Sequence, residues 1–182
     1  MSKTHTPVCN FGEPAHDFSL PGIDGKTWTL ADCQGEKGTL IMFICNHCPF
    51  VQAVRKKLVR DAAELQDHGI KSVAIMSNVF DAYPEDSYEN MKKVAEKFGF
   101  PFPYLLDENQ QVARDYGAVC APDFFAYNAN LQLQYRGRLD NSGMDDKPNA
   151  KRDLFDALCL MAQTGQGPRE QKTSVGCSLK WR

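Results

Sequence analysis

The chain has 182 residues, enough for one domain with a full core and some decoration. Its net charge is −2 and its hydrophobic fraction 42%, so nothing marks it as a binder of nucleic acid or of anionic membranes. No apolar run approaches the roughly 20 residues that cross a bilayer. The N-terminus, Met-Ser-Lys-Thr-His-Thr-Pro, lacks the apolar core of a secretory signal, so a cytoplasmic location is expected.

In chain order, residues 1–15 read as an irregular lead-in. Residues 17–30 read as a hairpin, with Phe18, Leu20, Trp28 and Leu30 alternating inward about an Asp24-Gly25 turn. After a polar connection, residues 40–44 form an unbroken apolar run that fits a strand buried on both faces. Val51, Val54, Leu58, Ala62 and Leu65 then recur at helical spacing, and Gly69 stops that helix. Residues 70–77 predict a second buried strand. Asp86-Ser-Tyr-Glu89 has capping-box form and opens a helix to about residue 98, with Met91, Val94, Ala95 and Phe98 on one face. Residues 102–106 suit an edge or irregular strand, because Pro103 interrupts them. A helix follows from Asp107, with Val112, Ala113 and Tyr116 inward, and then a strand over 118–127 carrying Pro122. Residues 131–138 return antiparallel, residues 151–163 form a last helix, and 164–182 form a Gly/Pro/Lys tail. Helices alternate with strands before a closing hairpin and helix. The expected fold is therefore one α/β domain over residues 1–182, with a mixed central sheet flanked by helices, an N-terminal hairpin and an inserted helix.

The chemistry concentrates where the first buried strand ends. Cys45-Asn-His-Cys-Pro49 follows that strand and opens the long helix. Free N–H groups and the positive end of the dipole lie at a helix N-terminus, and both stabilise a thiolate. C-x-x-C in that setting reads as a thiol–disulfide redox centre made by Cys45 and Cys48. Cys45, nearer the open surface, is the expected acidic and exposed thiol. C-x-x-C is also half of many zinc sites, but no second C-x-x-C or H-x-x-x-H completes one, so neither metal nor cofactor is expected. His47, between the two cysteines, is a candidate for tuning their acidity, since a cationic imidazole favours thiolate. An odd total of seven cysteines argues against a secreted disulfide scaffold.

Four segments together carry a resemblance. They are Phe11-Gly-Glu-Pro-Ala-His-Asp-Phe18, Cys45-Asn-His-Cys-Pro-Phe-Val51, Cys120-Ala-Pro-Asp-Phe124 and Val175-Gly-Cys-Ser-Leu-Lys-Trp181. In this order they resemble the thioredoxin-like superfamily and, within it, the peroxiredoxin-like (AhpC/TSA-like) redoxins with a Cys-Asn-His-Cys-Pro motif. The resemblance covers roughly residues 10–182 and implies an antioxidant thiol–disulfide oxidoreductase. Its partners would be protein or small-molecule disulfides and thiols, with a thioredoxin or glutathione system as reductant. The resemblance further implies that Pro122 is a cis proline facing the redox pair, and that the Ala121 backbone is a platform for an extended partner segment. Peroxiredoxins use Pro-x-x-x-Thr/Ser-x-x-Cys, whose reactive Cys matches Cys48. Here Ile41 and Cys45 stand at the other two positions, which lowers the expectation of fast hydroperoxide chemistry. Peroxidase activity through Cys48 remains the alternative, with a non-catalytic binding module as a third class. Val51 stands where related C-x-x-C proteins carry Glu, so the sequence names no group that deprotonates Cys48. Cys120, two residues before Pro122, and Cys177, on the tail, are candidate auxiliary redox thiols that pair with each other or relay oxidation from the C-x-x-C site.

Overall fold

The structure is a computed structural model and describes residues 2–182. The chain opens with a short strand, β1 (Lys3–His5). The hairpin β2 (Ser19–Pro21) and β3 (Thr27–Thr29) follows, then a one-turn helix α1 (Leu30–Cys33). Next come β4 (Gly38–Phe43), α2 (Pro49–Gln66), β5 (Ile70–Met76) and α3 (Tyr88–Phe98). β6 (Tyr104–Leu106), α4 (Gln111–Tyr116), β7 (Cys120–Ala121) and β8 (Asp123–Asn128) lead to β9 (Leu133–Tyr135), α5 (Asp153–Thr164) and β10 (Val175–Ser178).

Five strands form the central mixed sheet in the order β6-β5-β4-β8-β9. β4 is its middle strand, parallel to β5 and antiparallel to β8. All six residues of β4 are buried, as the unbroken apolar run requires of a strand covered by helices on both faces. β6 is an edge strand, which suits the Pro101 and Pro103 that precede it. Val51, Val54, Leu58, Ala62 and Leu65 of α2 are buried. The four larger of these each contribute roughly 1.5–3 kcal/mol by leaving water. Arg152 then pins α5 to α2 through Asp61, at 2.6 Å.

Several expectations change, and the strand expected over 118–127 divides at Pro122 into β7 and β8, which belong to different sheets. Residues 1–15 are not wholly irregular, because β1 pairs with β10. Leu30 does not extend the hairpin: Thr29 and Asp32 form a reciprocal capping box that starts α1 there. The residue that caps α3 is Ser87 rather than Asp86. Asp86 ends a 3-10 turn (Pro84–Asp86), is fully buried, and points to the C-x-x-C loop.

Two buried charges hold the start of β8. Arg136 Nη2 donates to Asp123 Oδ2 at 2.9 Å and to the Gly117 carbonyl at 2.9 Å. Burial raises the Asp123 carboxyl and the guanidinium opposes that rise. Removing the cation leaves a buried carboxylate alone. Arg136→Ala should therefore cost about 3–5 kcal/mol in a chemical-denaturation series. A loss below about 1 kcal/mol would show that the pair is not structural.

Candidate active site

β4 delivers the chain to the motif. The Ile44 N–H still bonds the Ile75 carbonyl at 3.1 Å, so sheet geometry persists to the residue before Cys45. Cys48 is the N-cap residue of α2 and Pro49 is its first helical residue. The helix therefore starts at the second cysteine, and it is Cys48 that meets its free N–H groups.

That placement reverses the expected order of acidity of the two thiols. Neither is exposed: Cys45 shows 2% of its surface and Cys48 none. The Cys48 thiol is pulled down to about 5. Donation from the Cys45 thiol is the main cause, helped by the Cys177 thiol and the backbone N–H groups of Val51 and Cys177, against the cost of burial. Cys45 is pushed up, first by donating a hydrogen bond to Cys48, then by burial and by the negative charge of Asp86. Cys48 Sγ also lies 3.3 Å from the Ala121 carbonyl, a bond it can make only as a thiol. Four donors against one acceptor favour the thiolate.

Asp86 organises the loop between the cysteines, and sequence reasoning missed it. Its Oδ1 accepts the N–H of Asn46 at 2.7 Å and of His47 at 3.2 Å. Its Oδ2 accepts Asn78 Nδ2 at 3.3 Å and is in close contact with His47 Nδ1. Asn46 is held further by donating to the Glu85 carbonyl at 2.8 Å and accepting from the Tyr104 hydroxyl at 2.9 Å. The Asp86-x-x-Glu89 spacing concealed this role, because it mimics a helix cap. The only available sign was an acid five residues upstream of an apolar helical face.

His47 stacks on Tyr83 with 4.5 Å between centroids, and its ring binds Asp86. Its partner is thus the carboxylate on the Cys45 side, and the leading stabilisers of the Cys48 thiolate are thiols and backbone N–H groups. Cys45 Sγ, a His47 ring nitrogen and an Asp86 oxygen lie within 4.8 Å of one another, a spacing a metal ion could bridge. Asp86 already receives the N–H donors named above and His47 Nδ1, whereas His47 Nε2 is buried without a hydrogen-bond partner.

The Ala121–Pro122 bond is cis. Ala121 does not offer a free edge: it pairs with Cys177 of β10. Cys120 sits opposite Ser178, one register step away, so its side chain faces away from that of Cys177 and approaches the Pro122 carbonyl at 3.5 Å. Burial raises the Cys120 thiol. The structure thus separates two thiols that the sequence placed together, and sets Cys177 beside Cys48 instead.

The sequence matches the AhpC/TSA family over residues 11–140. The chain belongs to the AhpC/TSA family. An uncharacterized conserved protein from Geobacillus kaustophilus is 43% identical, with a TM-score of 0.93 over 100% of this chain and 97% of its own. The thiol-disulfide oxidoreductase ResA of Geobacillus thermodenitrificans is 29% identical over 68% of this chain, and the match spans 66% of that relative's length. A thiol:disulfide interchange protein of the thioredoxin family from Chlorobium tepidum shares the fold, at 20% identity and a TM-score of 0.62 over 83% of this chain and 96% of its own. The redoxin members of this thioredoxin-like family are redox proteins of the thiol–disulfide kind, and this chain has their fold. Among the described residues, no helix is long and apolar enough to cross a membrane.

Proposed function

We propose that the protein is a dithiol–disulfide oxidoreductase whose working pair is Cys45 and Cys48. The observation that carries this reading is the C-x-x-C pair between β4 and α2, with Cys48 as the N-cap of α2 and both thiols buried. The Cys48 thiol, lowered by donation from Cys45, agrees with it. The Cys48 thiolate attacks one sulfur of a partner disulfide, and the other partner sulfur leaves as a thiolate. Cys45 then loses its proton and attacks Cys48 Sγ, closing the Cys45–Cys48 bond and expelling the second partner thiolate. The partner gains two electrons; one proton comes from Cys45 and the other from water. The attack order is the reverse of the sequence expectation, because the thiolate is the nucleophile. A thiol reductant of the thioredoxin or glutathione type reverses the sequence. No cofactor is needed, since both electrons reside in the sulfur pair. A stabilised thiolate favours the reduced form, so the disulfide is comparatively oxidising.

The complete burial of Cys48 favours a second reading, in which the oxidant is small. The thiolate attacks the distal oxygen of a hydroperoxide, gives a sulfenic acid and releases an alcohol or water. Cys45 resolves it with loss of water.

The test supplies the reduced protein with either a low-molecular-weight disulfide or a hydroperoxide and counts thiols. Loss of two thiols per chain with the disulfide, mapped to Cys45 and Cys48, supports the first reading. Faster loss with hydroperoxide supports the second. Loss with neither leaves a binding module. Iodoacetamide at pH 6 should label Cys48 before Cys45, since a thiol held near 5 is ionised there and one pushed up is not.

A further inference from the structure

We propose that Cys177 is a third redox thiol, held against Cys48 by the tail so that the Cys45–Cys48 disulfide can pass to Cys48 and Cys177. The step rests on the dithiol reading above and extends it to the C-terminal strand.

The geometry comes from the small sheet β1-β10-β7. β10 pairs antiparallel with β7 and puts Cys177 opposite Ala121, whose carbonyl is 3.3 Å from Cys48 Sγ. One strand thus brings Cys177 to the residue that Cys48 touches. Cys177 is itself buried, with 3% of its surface exposed. Its sulfur also receives the Phe50 N–H, so both sulfurs meet the first turn of α2.

The seat of the tail is built, not incidental. Gly176 packs so closely on β7 that a Cβ there would lie 2.2 Å from the Ala121 carbonyl oxygen. Only glycine allows that approach. On one side the Thr6 N–H donates to the Ser174 carbonyl at 3.0 Å, and on the other the Lys180 N–H donates to Asn78 Oδ1 at 2.9 Å. Asn78 also donates to Asp86, so the tail and the C-x-x-C loop share an anchor.

The exchange balances without an added oxidant. Cys177 loses its proton and attacks Cys48 Sγ in the Cys45–Cys48 disulfide. The Cys48–Cys177 bond forms, the Cys45–Cys48 bond breaks, and Cys45 leaves as a thiolate that takes up the proton. One disulfide becomes another and Cys45 is a free thiol again. An extended peptide seeking the β7 edge must first displace β10, and a Cys48–Cys177 bond would lock that strand in place.

The full-length reduced protein is treated with one equivalent of diamide, quenched in acid, digested with pepsin, and its disulfide peptides are mapped. The wild type should yield both Cys45–Cys48 and Cys48–Cys177 peptides. Cys45→Ser should yield Cys48–Cys177 alone. Gly176→Ala, which disturbs the seat but no cysteine, should keep Cys45–Cys48 and lose most of the Cys48–Cys177 product. If the wild type closes Cys45–Cys48 but gives no Cys48–Cys177 peptide, the third-thiol step is wrong and the dithiol reading stands. If no Cys45–Cys48 peptide forms, the dithiol reading itself is wrong, whatever Cys177 does. The wild-type digest decides the matter even if Cys45→Ser does not fold.

Discussion

Replacing Cys48 with serine should abolish turnover, while replacing Cys45 with serine should slow the second half of the cycle, leaving Cys177 as the resolving thiol. In the proposed mechanism the Cys48 thiolate is the nucleophile, and a serine hydroxyl is not ionised at neutral pH. The expected loss is on the order of a thousandfold, or about 4 kcal/mol of transition-state stabilisation. Cys45→Ser keeps a nucleophile at position 48, so the first bond to the substrate still forms, but neither product nor turnover follows at the wild-type rate. Steady-state reduction of a small disulfide, with mass analysis of trapped adducts, checks both. A Cys48→Ser protein with more than about a tenth of wild-type activity would return the nucleophile to Cys45. The same substitution carries a stability signature. The folded Cys48 value, about 5, lies below the ordinary thiol value of roughly 8.5. A depressed group contributes stability that is fully present above the unfolded value and lost as pH falls through the folded one. The reduced wild type should therefore lose stability between about pH 8.5 and pH 5 relative to Cys48→Ser. The oxidised protein, with no thiolate at Cys48, should lose that dependence.

Asp86→Ala should loosen the whole C-x-x-C loop. The carboxylate accepts N–H groups from Asn46, His47 and Asn78, all from a fully buried position. Its removal leaves buried donors unmatched, at a cost of about 3 kcal/mol. Asp86→Asn keeps the shape and can keep one carbonyl acceptor for the Asn46 and His47 N–H groups, so it should fold better. It removes the negative charge that helps push Cys45 up. The Cys45 ionisation should then move down, read from the pH dependence of its alkylation. A purely structural Asp86 would alter stability in both variants without moving that profile. Such a result would falsify the electrostatic role.

How much was legible follows from the range of each interaction. The central strand β4, helix α2 and the pairing of hairpin β2–β3 were readable because each rests on local periodicity and turn chemistry. The C-x-x-C site was readable for the same reason, since strand, turn and helix start lie within a dozen residues. Asp86 was not readable as part of the site. It lies forty residues from Asn46, and a local helix-cap pattern explained it equally well.

By itself, then, the sequence determined the strand–motif–helix unit and where its two cysteines sit, because propensity, hydrophobic spacing and motif are all local. Only the tertiary structure decided which cysteine is acidic. The α2 start falls at Cys48 rather than Cys45, and the donors that stabilise its charge include Cys177, which lies 129 residues further along the chain. It also decided the fate of Cys120 and Cys177. Alternation along β7 and β10 turns the two side chains to opposite faces, and that register exists only once the tail has folded back onto the sheet.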